Sequence, residues 1–359
     1  MASLQSFGQA GPRPATAKLD RYTRPPTSMH SSKPRTLSPT RRRLLAAIAA
    51  IATVPRAHGA EAWPLRPLRL VVPFAPGGTT DLIGRVVADG LARALGQPVI
   101  VDNKAGAGGN VGAAEVARAA PDGYTLMIGT PGPLAINRHV YASTSYQPDK
   151  DFIAVSHVAD VPNVILAHPA TGFRGVADLL GAARARPGRL SWGSPGIGST
   201  GHLALEMLKQ LASVDIVHVP YKGASQATTD LLGGQIELAA DNVPTALPHV
   251  RERRLVALGV MGEREIAALP GVAPVSATIP GYRLQSWFVV VAPAGTPRAI
   301  VERISAIVDA HLKQPDVARK LDELGALPAG GSPERLAEHL RAEQARFRDL
   351  IARTGVKPE

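Results

Sequence analysis

From Leu68 onward, short apolar runs rich in β-formers alternate with stripes of apolar residues at helical spacing. Leu68–Val72 reads as a strand. Leu82, Ile83, Val86, Val87, Leu91, Ala94 and Leu95 then recur at helical intervals, and Gly96 and Pro98 end the helix they predict. Val99–Val101 is the next strand, followed by a glycine-rich turn and an alanine-rich helix ending near Ala120. Pro121-Asp122-Gly123 turns into the strand Tyr124–Gly129. A second series begins near Asn163, with strand Val164–Ala167 and helix Val176–Ala185. Strands follow at Leu190–Gly193, Ile216–Val219, Ile236–Ala240 and Val256–Val260, separated by helices starting near His202, Ala224 and Val243. Trp287–Ala292 is a strongly apolar strand crossing back to the first series. Three helices close the chain, with Thr296 and Ser332 as N-caps before Pro297 and Pro333, and Gly325 and Gly355 as stops. The alternation predicts an α/β protein with mainly parallel sheets and no solenoid-type repeat.

The strand-to-helix junctions carry the chemistry. Leu68–Val72 runs into Pro73-Phe74-Ala75-Pro76-Gly77-Gly78-Thr79-Thr80-Asp81, and Tyr124–Gly129 into Thr130-Pro131-Gly132. Leu190–Gly193 runs into Ser194-Pro195-Gly196-Ile197-Gly198-Ser199-Thr200-Gly201-His202. Ile216–Val219 leads to Pro220-Tyr221-Lys222-Gly223, and Ile236–Ala240 to Asp241-Asn242. Ligands of open parallel sheets bind beyond the carboxyl ends of the strands. Glycine there lets backbone N–H groups approach closely, and helix N-termini offer unpaired donors with positive partial charge. Any one glycine-rich turn is weak; five in phase with strand ends describe a cleft for a small anion.

Length and charge sharpen this picture. The 359 residues suit two domains rather than one, and a 45% apolar content supplies their cores. The net charge of +11 resembles a nucleic-acid binder until it is located. Residues 1–62 hold ten Lys/Arg against Asp20 and Glu61, leaving 30 basic and 27 acidic residues in the body. That balance gives no footprint for phosphate tracking, so no nucleic-acid partner is expected. The leader itself reads as an export signal: Arg41-Arg42-Arg43, then the apolar run Leu44–Val54, then small-residue cleavage sites at Ala57-His58-Gly59 or Ala60-Glu61-Ala62. Met29 is an alternative start, Thr40–Leu45 fits a twin-arginine signal loosely, and Sec is the other route. The competing reading is a cytosolic tail with a short buried helix. The apolar run is too short to span a bilayer, which takes about 20 helical residues. No cysteine is present, which excludes disulfides, thiolate metal sites and a lipoprotein anchor.

Enzyme motifs fail at named positions. No Gly-Lys-Ser/Thr follows Gly77-Gly78, Val111 stands where a dinucleotide fingerprint needs its third glycine, and Ile197 breaks a nucleophile elbow around Ser199. No catalytic residue, metal site or cofactor is therefore expected. His202 lies beside Ser199, but a serine–histidine pair needs a third orienting group; a structural hydrogen bond in the first helical turn is the alternative. Asp81 is read either as a ligand contact or as a first-turn acid stabilised by its helix dipole, and Asp241 as a ligand contact or an N-cap.

These loops resemble those of the substrate-binding proteins of tripartite tricarboxylate transporters, the Bug family. The matching segments are Val71–Asp81, Leu95–Val99, Asn103–Asn110, Ala120–Thr125, His218–Gly223, Asp230–Gln235 and Ala292–Pro297, in family order across residues 66–359. The resemblance implies a two-lobed periplasmic-binding-protein (Venus flytrap) fold, each lobe a mainly parallel sheet flanked by helices. The lobes would cover residues 63–163 plus 287–359, and 164–286, after the 1–62 leader. Carried over position by position, the ligand-binding residues are Phe74, Gly77, Gly78, Asp81 and Thr130 in the first lobe. In the second they are Ser194, Gly198, Ser199, Thr200, Tyr221 and Asp241. Ala240 departs from the family, which more often has a large, frequently aromatic residue there, and Pro195 and Ile197 are individual choices.

The resemblance further implies a monomeric periplasmic receptor that hands a small organic carboxylate to the membrane subunits of a transporter. A ligand sensor feeding a signalling protein, or an enzyme acting on a small acid, are the alternatives. Asp81 and Asp241, if both faced the cleft, would repel a tricarboxylate, since like charges about 4 Å apart cost roughly 4 kcal/mol at an effective dielectric of 20. That favours a ligand with one carboxylate and a neutral or amino-bearing far end.

Overall fold

The computed structural model describes residues 63–354. The expected leader and the Gly355 stop lie outside the described residues. The strands are β1 (Leu68–Val72), β2 (Val99–Asn103), β3 (Thr125–Gly129), β4 (Phe152–Ala167), β5 (Ser191–Ser194), β6 (Val217–Pro220), β7 (Leu238–Asn242), β8 (Val256–Val260), β9 (Gln285–Pro293) and β10 (Leu327–Pro328). They form one ten-stranded sheet in the order β2-β1-β3-β9-β4-β7-β5-β6, with β8 and β10 paired to β4 off this path.

Both ends of the sheet are parallel: β1 lies between β2 and β3, and β5 between β6 and β7. The middle is antiparallel, made by β4 and β9, the two strands that carry the chain between the ends. We call the β2-β1-β3 end with its helices the first half and the β7-β5-β6 end the second half. Parallel strands need helical crossovers that cover both faces, so they read as continuous apolar runs. Four of the five residues of β1 are buried accordingly.

The long helices among the described residues are α1 (Thr79–Leu95), α2 (Asn110–Ala117), α3 (Val176–Ala185), α4 (Thr200–Ala212), α5 (Ala224–Leu232), α6 (Val243–Arg251), α7 (Arg298–Leu312), α8 (Pro315–Glu323) and α9 (Pro333–Thr354). In the first half Ile83, Val87 and Leu91 of α1 and Val301, Ile304 and Val308 of α7 close on Leu68, Leu70 and Leu126. Leu91 is wholly buried, so Leu91→Ala would cost about 2–5 kcal/mol. In the second half Trp192, Leu203, Leu208 and Leu238 share a core that continues through Trp287 to Phe347 of α9.

Three details differ from the sequence reading. β4 runs back to Phe152, well before Val164. Its register shifts between Ala154 and Ser156 and again between His157 and Ala159. A bulge places two residues opposite one and resets the alternation, which hid this strand from a period-two search. Strand β7 is displaced by two residues, ending at Asn242 rather than Ala240. Helix α7 begins at Arg298, and Thr296 donates its hydroxyl to the Pro293 carbonyl at 2.7 Å instead of capping. Ser332 does cap α9, accepting from the Arg335 N–H at 3.4 Å.

Candidate ligand-binding cleft

The loops and turns at the carboxyl ends of β1, β3, β5 and β7 converge beside β9, the antiparallel partner of β4. A small cavity of about 40 Å³ lies there, lined by fifteen residues from both halves. Phe74, Ala75, Gly78, Thr79 and Thr80 come from the loop and first turn after β1, and Thr130, Pro131 and Gly132 from the turn after β3. The second half contributes Pro195, Ser199, Thr200, Ala224 and Asn242; Ser286 and Phe288 enter from β9. None of the fifteen is ionisable.

Four helices begin at this cavity: α1 at Gly78, α4 at Ser199, α5 beside Ala224 and α6 at Asn242. No side chain caps α1, α5 or α6. Their first-turn N–H groups and dipoles therefore make the site positive without a formal cation. Most hydroxyls here are already engaged. Ser199 donates to the Gly196 carbonyl at 2.6 Å and accepts from the His202 N–H at 3.2 Å. Thr200 and Ser286 lie 2.8 Å apart, and Ser286 donates onward to Asn163 Oδ1 at 2.9 Å. Ser286 can give only one proton, so Thr200 is the donor in that pair. Thr130 differs: its Oγ1 is buried and has no protein partner. Backbone amides and the Thr130 hydroxyl are thus among the donors this cavity offers an anion.

Five of the eleven residues expected to bind ligand line the cavity: Phe74, Gly78, Thr130, Ser199 and Thr200. The other six stand behind it. Gly77 turns at φ +82°, and its N–H donates to Asp81 Oδ2 at 3.1 Å. Asp81 is buried; Arg85 donates to both its oxygens at 3.0 and 3.1 Å, and Asn103 donates at 3.2 Å. Burial alone would raise this carboxyl, but the Arg85, Gly77 and Asn103 hydrogen bonds hold it below its usual range. Ser194 faces His218 at 2.7 Å, and Gly198 donates its N–H to His202 Nδ1 at 3.3 Å. Tyr221 donates to Asp230 at 2.7 Å. Asp241 accepts from Thr245 at 2.7 Å, Thr228 at 3.3 Å and the Asn242 N–H at 2.7 Å, and burial pushes it up to about 6. Neither acid lines the cavity, so the repulsion expected for multiply charged ligands has no source in this wall.

The sequence had a sign for Asp81, since Arg85 follows it at i+4 on the same helix face. Thr79 and Thr80 sat beside the glycines singled out. Ser286 and Phe288 had no local signal; β9 brings them in from more than 80 residues downstream of the second-half loop.

The halves touch around the cavity. Tyr141 donates to the Ile197 carbonyl at 2.9 Å, Ser225 to the Pro76 carbonyl at 3.0 Å, and Thr79 meets Thr245 at 3.1 Å. Gly108 packs so closely that a Cβ there would collide with the Ile197 carbonyl, and a Cβ on Gly198 would collide with Asn137.

Comparison with known proteins agrees with this architecture. A protein from the tcbD-tcbE intergenic region of a Pseudomonas species is 40% identical over 328 residues, covering 90% of this chain and 97% of its own. BugT of Bordetella pertussis is 34% identical, covering 88% of this chain and 98% of its own. Among solved structures, an R. palustris protein with adipate superposes at a TM-score of 0.81 with 40% identity, covering 83% of this chain and all of its own. MatC of Rhodopseudomonas palustris, with bound malate, superposes at 0.77 with 32% identity, covering 80% of this chain and all of its own. The family described as tripartite tricarboxylate transporter family receptor matches residues 83–356. This chain, with its α/β periplasmic-binding-protein fold, belongs to that receptor family, to which the Bug proteins are related.

Proposed function

We propose that this chain is a periplasmic, non-catalytic receptor that closes on a small organic carboxylate and presents it to the membrane subunits of a tripartite tricarboxylate-type transporter. On this reading residues 63–163 plus 287–359 form one lobe and 164–286 the other, with β4 and β9 as the crossings. The observation that carries it is the cavity itself: uncapped helix N-termini converge on a space with no ionisable lining residue and one buried, unpartnered hydroxyl at Thr130. Such a wall binds an anion through fixed dipoles and offers no general acid, base or nucleophile pair with an orienting group.

Two relatives solved with adipate and malate support a carboxylate, and with Asp81 and Asp241 turned away a dicarboxylate meets no like charge. Phe74 and Phe288 supply apolar walls for a carbon chain between donor groups. An export signal over residues 1–62 would account for the charge imbalance and deliver the mature chain to the periplasm, where we take it to act as a monomer.

Calorimetry with adipate, malate, acetate, citrate and the neutral diamide of adipate tests the reading. The expected result is one-to-one binding of at least one carboxylate and none of the diamide. Diamide binding equal to the acid, or consumption of a bound acid over time, would overturn it. Copurification with a transporter subunit rather than a sensor kinase separates transport from signalling.

A further inference from the structure

Behind the loop that follows β5 stand two histidines that the binding reading leaves unused. His202, in the first turn of α4, and His218, on β6, stack with ring centroids 4.3 Å apart and planes within 16° of parallel. Each reaches one end of the loop. His202 Nδ1 accepts from the Gly198 N–H at 3.3 Å, and His218 Nε2 lies 2.7 Å from Ser194 Oγ. Between these points Gly196 and Gly198 adopt φ of +129° and +74°, shapes that glycine tolerates without selecting. The loop therefore depends on its ties, and it presents Pro195 and Ser199 to the cavity and the Ile197 carbonyl to Tyr141 across the cleft.

An imidazole nitrogen accepts a hydrogen bond only while it carries no proton. A proton on His202 Nδ1 would set donor against donor at Gly198. We propose that His202 is a positioning residue for this loop and that the stacked pair makes ligand capture pH-dependent, the loop being set while the pair is uncharged. This rests on the cavity being the ligand site.

The surroundings favour the uncharged pair. Two imidazolium rings at stacking distance would repel. Burial first, then His202 and Lys209, push His218 down to about 3. On α4 itself Lys209 is paired with Glu206 at 3.2 Å. From β5 the neighbouring groups are neutral: Ser194 and Trp192, whose indole donates to the Gly201 carbonyl at 3.2 Å. On β7 the carboxylate of Asp241 is held by Thr228 and Thr245, and α9 meets α4 where Gln210 donates to the Arg353 carbonyl. Capture should therefore be level through neutral pH and weaken once acid forces a proton onto the pair.

Two substitutions isolate the role. Asparagine places its oxygen where Nδ1 stood but does not titrate, so His202→Asn should keep the loop set at all pH values; His202→Leu keeps bulk and loses the acceptor. Hydrogen exchange of ligand-free protein reads the loop directly. Protection over residues 194–199, relative to strand β1, should drop in wild type as pH is taken from about 7.5 down to about 4, stay level in His202→Asn, and be low throughout in His202→Leu. With adipate and malate as calorimetric probes, wild-type affinity should fall about tenfold over that interval and His202→Asn by less than about threefold. Equal acid loss in wild type and His202→Asn, or wild-type protection in a folded His202→Leu, would overturn the proposal. If both probes leave even wild type silent, the carboxylate reading fails, and exchange at 194–199 still decides the role of the histidines.

Discussion

The hydroxyls of Thr79 and Thr245 meet across the cleft at 3.1 Å, one from the first residue of α1 and the other from the first turn of α6. Thr245 also donates to Asp241 Oδ2 at 2.7 Å. A hydroxyl has one proton, so with Asp241 ionised Thr79 is the donor to Thr245. The buried carboxylate thereby fixes a hydrogen-bond chain from the second half to the first. Thr245→Val should break this chain while Thr245→Ser keeps it. The expected loss for valine is about 1 kcal/mol, or roughly fivefold in affinity for a bound carboxylate. Calorimetry of both variants checks this; equal affinities would show the chain to be incidental.

On the proposed reading, closure would rest on the backbone contact between Gly108 and the Ile197 carbonyl. Alanine there meets two obstacles: φ of +59° and the Ile197 carbonyl of the other half. Gly96 has a similar φ of +67° and open space around it. Both alanine variants should lose about 1–2 kcal/mol of stability from the left-handed conformation. Only Gly108→Ala should also hold the cleft open, seen as a larger radius of gyration in saturating ligand. Identical scattering from the two variants would count against this contact as the closing point.

Gly78 offers a graded probe of the cavity wall. Its φ of −84° suits any residue, and an added Cβ would rest 3.6 Å from Ala224 Cβ, an ordinary contact. Gly78→Ala should therefore bind within about threefold of wild type, whereas the further carbons of Gly78→Val should fill the cavity and weaken binding more than about tenfold. Unchanged melting temperature with lost binding is the expected pattern. Equal binding by the valine variant would place the ligand elsewhere.

Asp241 predicts a pH-dependent stability of definite sign. Burial raises its folded value to about 6 from an ordinary 3.8. The folded protein then holds more proton than the unfolded chain between those values, and this residue's contribution to stability declines as pH rises through them. Asp241→Asn removes the penalty while keeping an acceptor for the Asn242 N–H. The variant should gain on the order of 1–2 kcal/mol over wild type near pH 8, a difference that shrinks toward pH 4. Paired denaturant titrations measure it, and a constant difference across that range would be the contrary result.

The sequence by itself determined the local chemistry. Gly77 and Gly78 before a helix, Gly96 after it, and Ser332 as an N-cap are each set by neighbours in the chain, because φ preference and capping act over a few residues. The strand–loop–helix alternation, repeated in two series, likewise fixed the α/β class and put donor-rich loops at strand ends. Family membership followed from the same loops.

Only the tertiary structure decided which loop groups face the cavity. Asp81 and Asp241 belong to the right loops yet turn to Arg85 and to Thr228 and Thr245, because a buried carboxylate settles where hydrogen bonds offset its desolvation. Ser286 and Phe288 reach the site through β9 pairing with β4, a register set by two bulges that erase the period-two pattern of the sequence. The contact of Thr79 with Thr245 joins residues 166 positions apart. No local propensity encodes that distance; packing of the two halves across their crossing strands does.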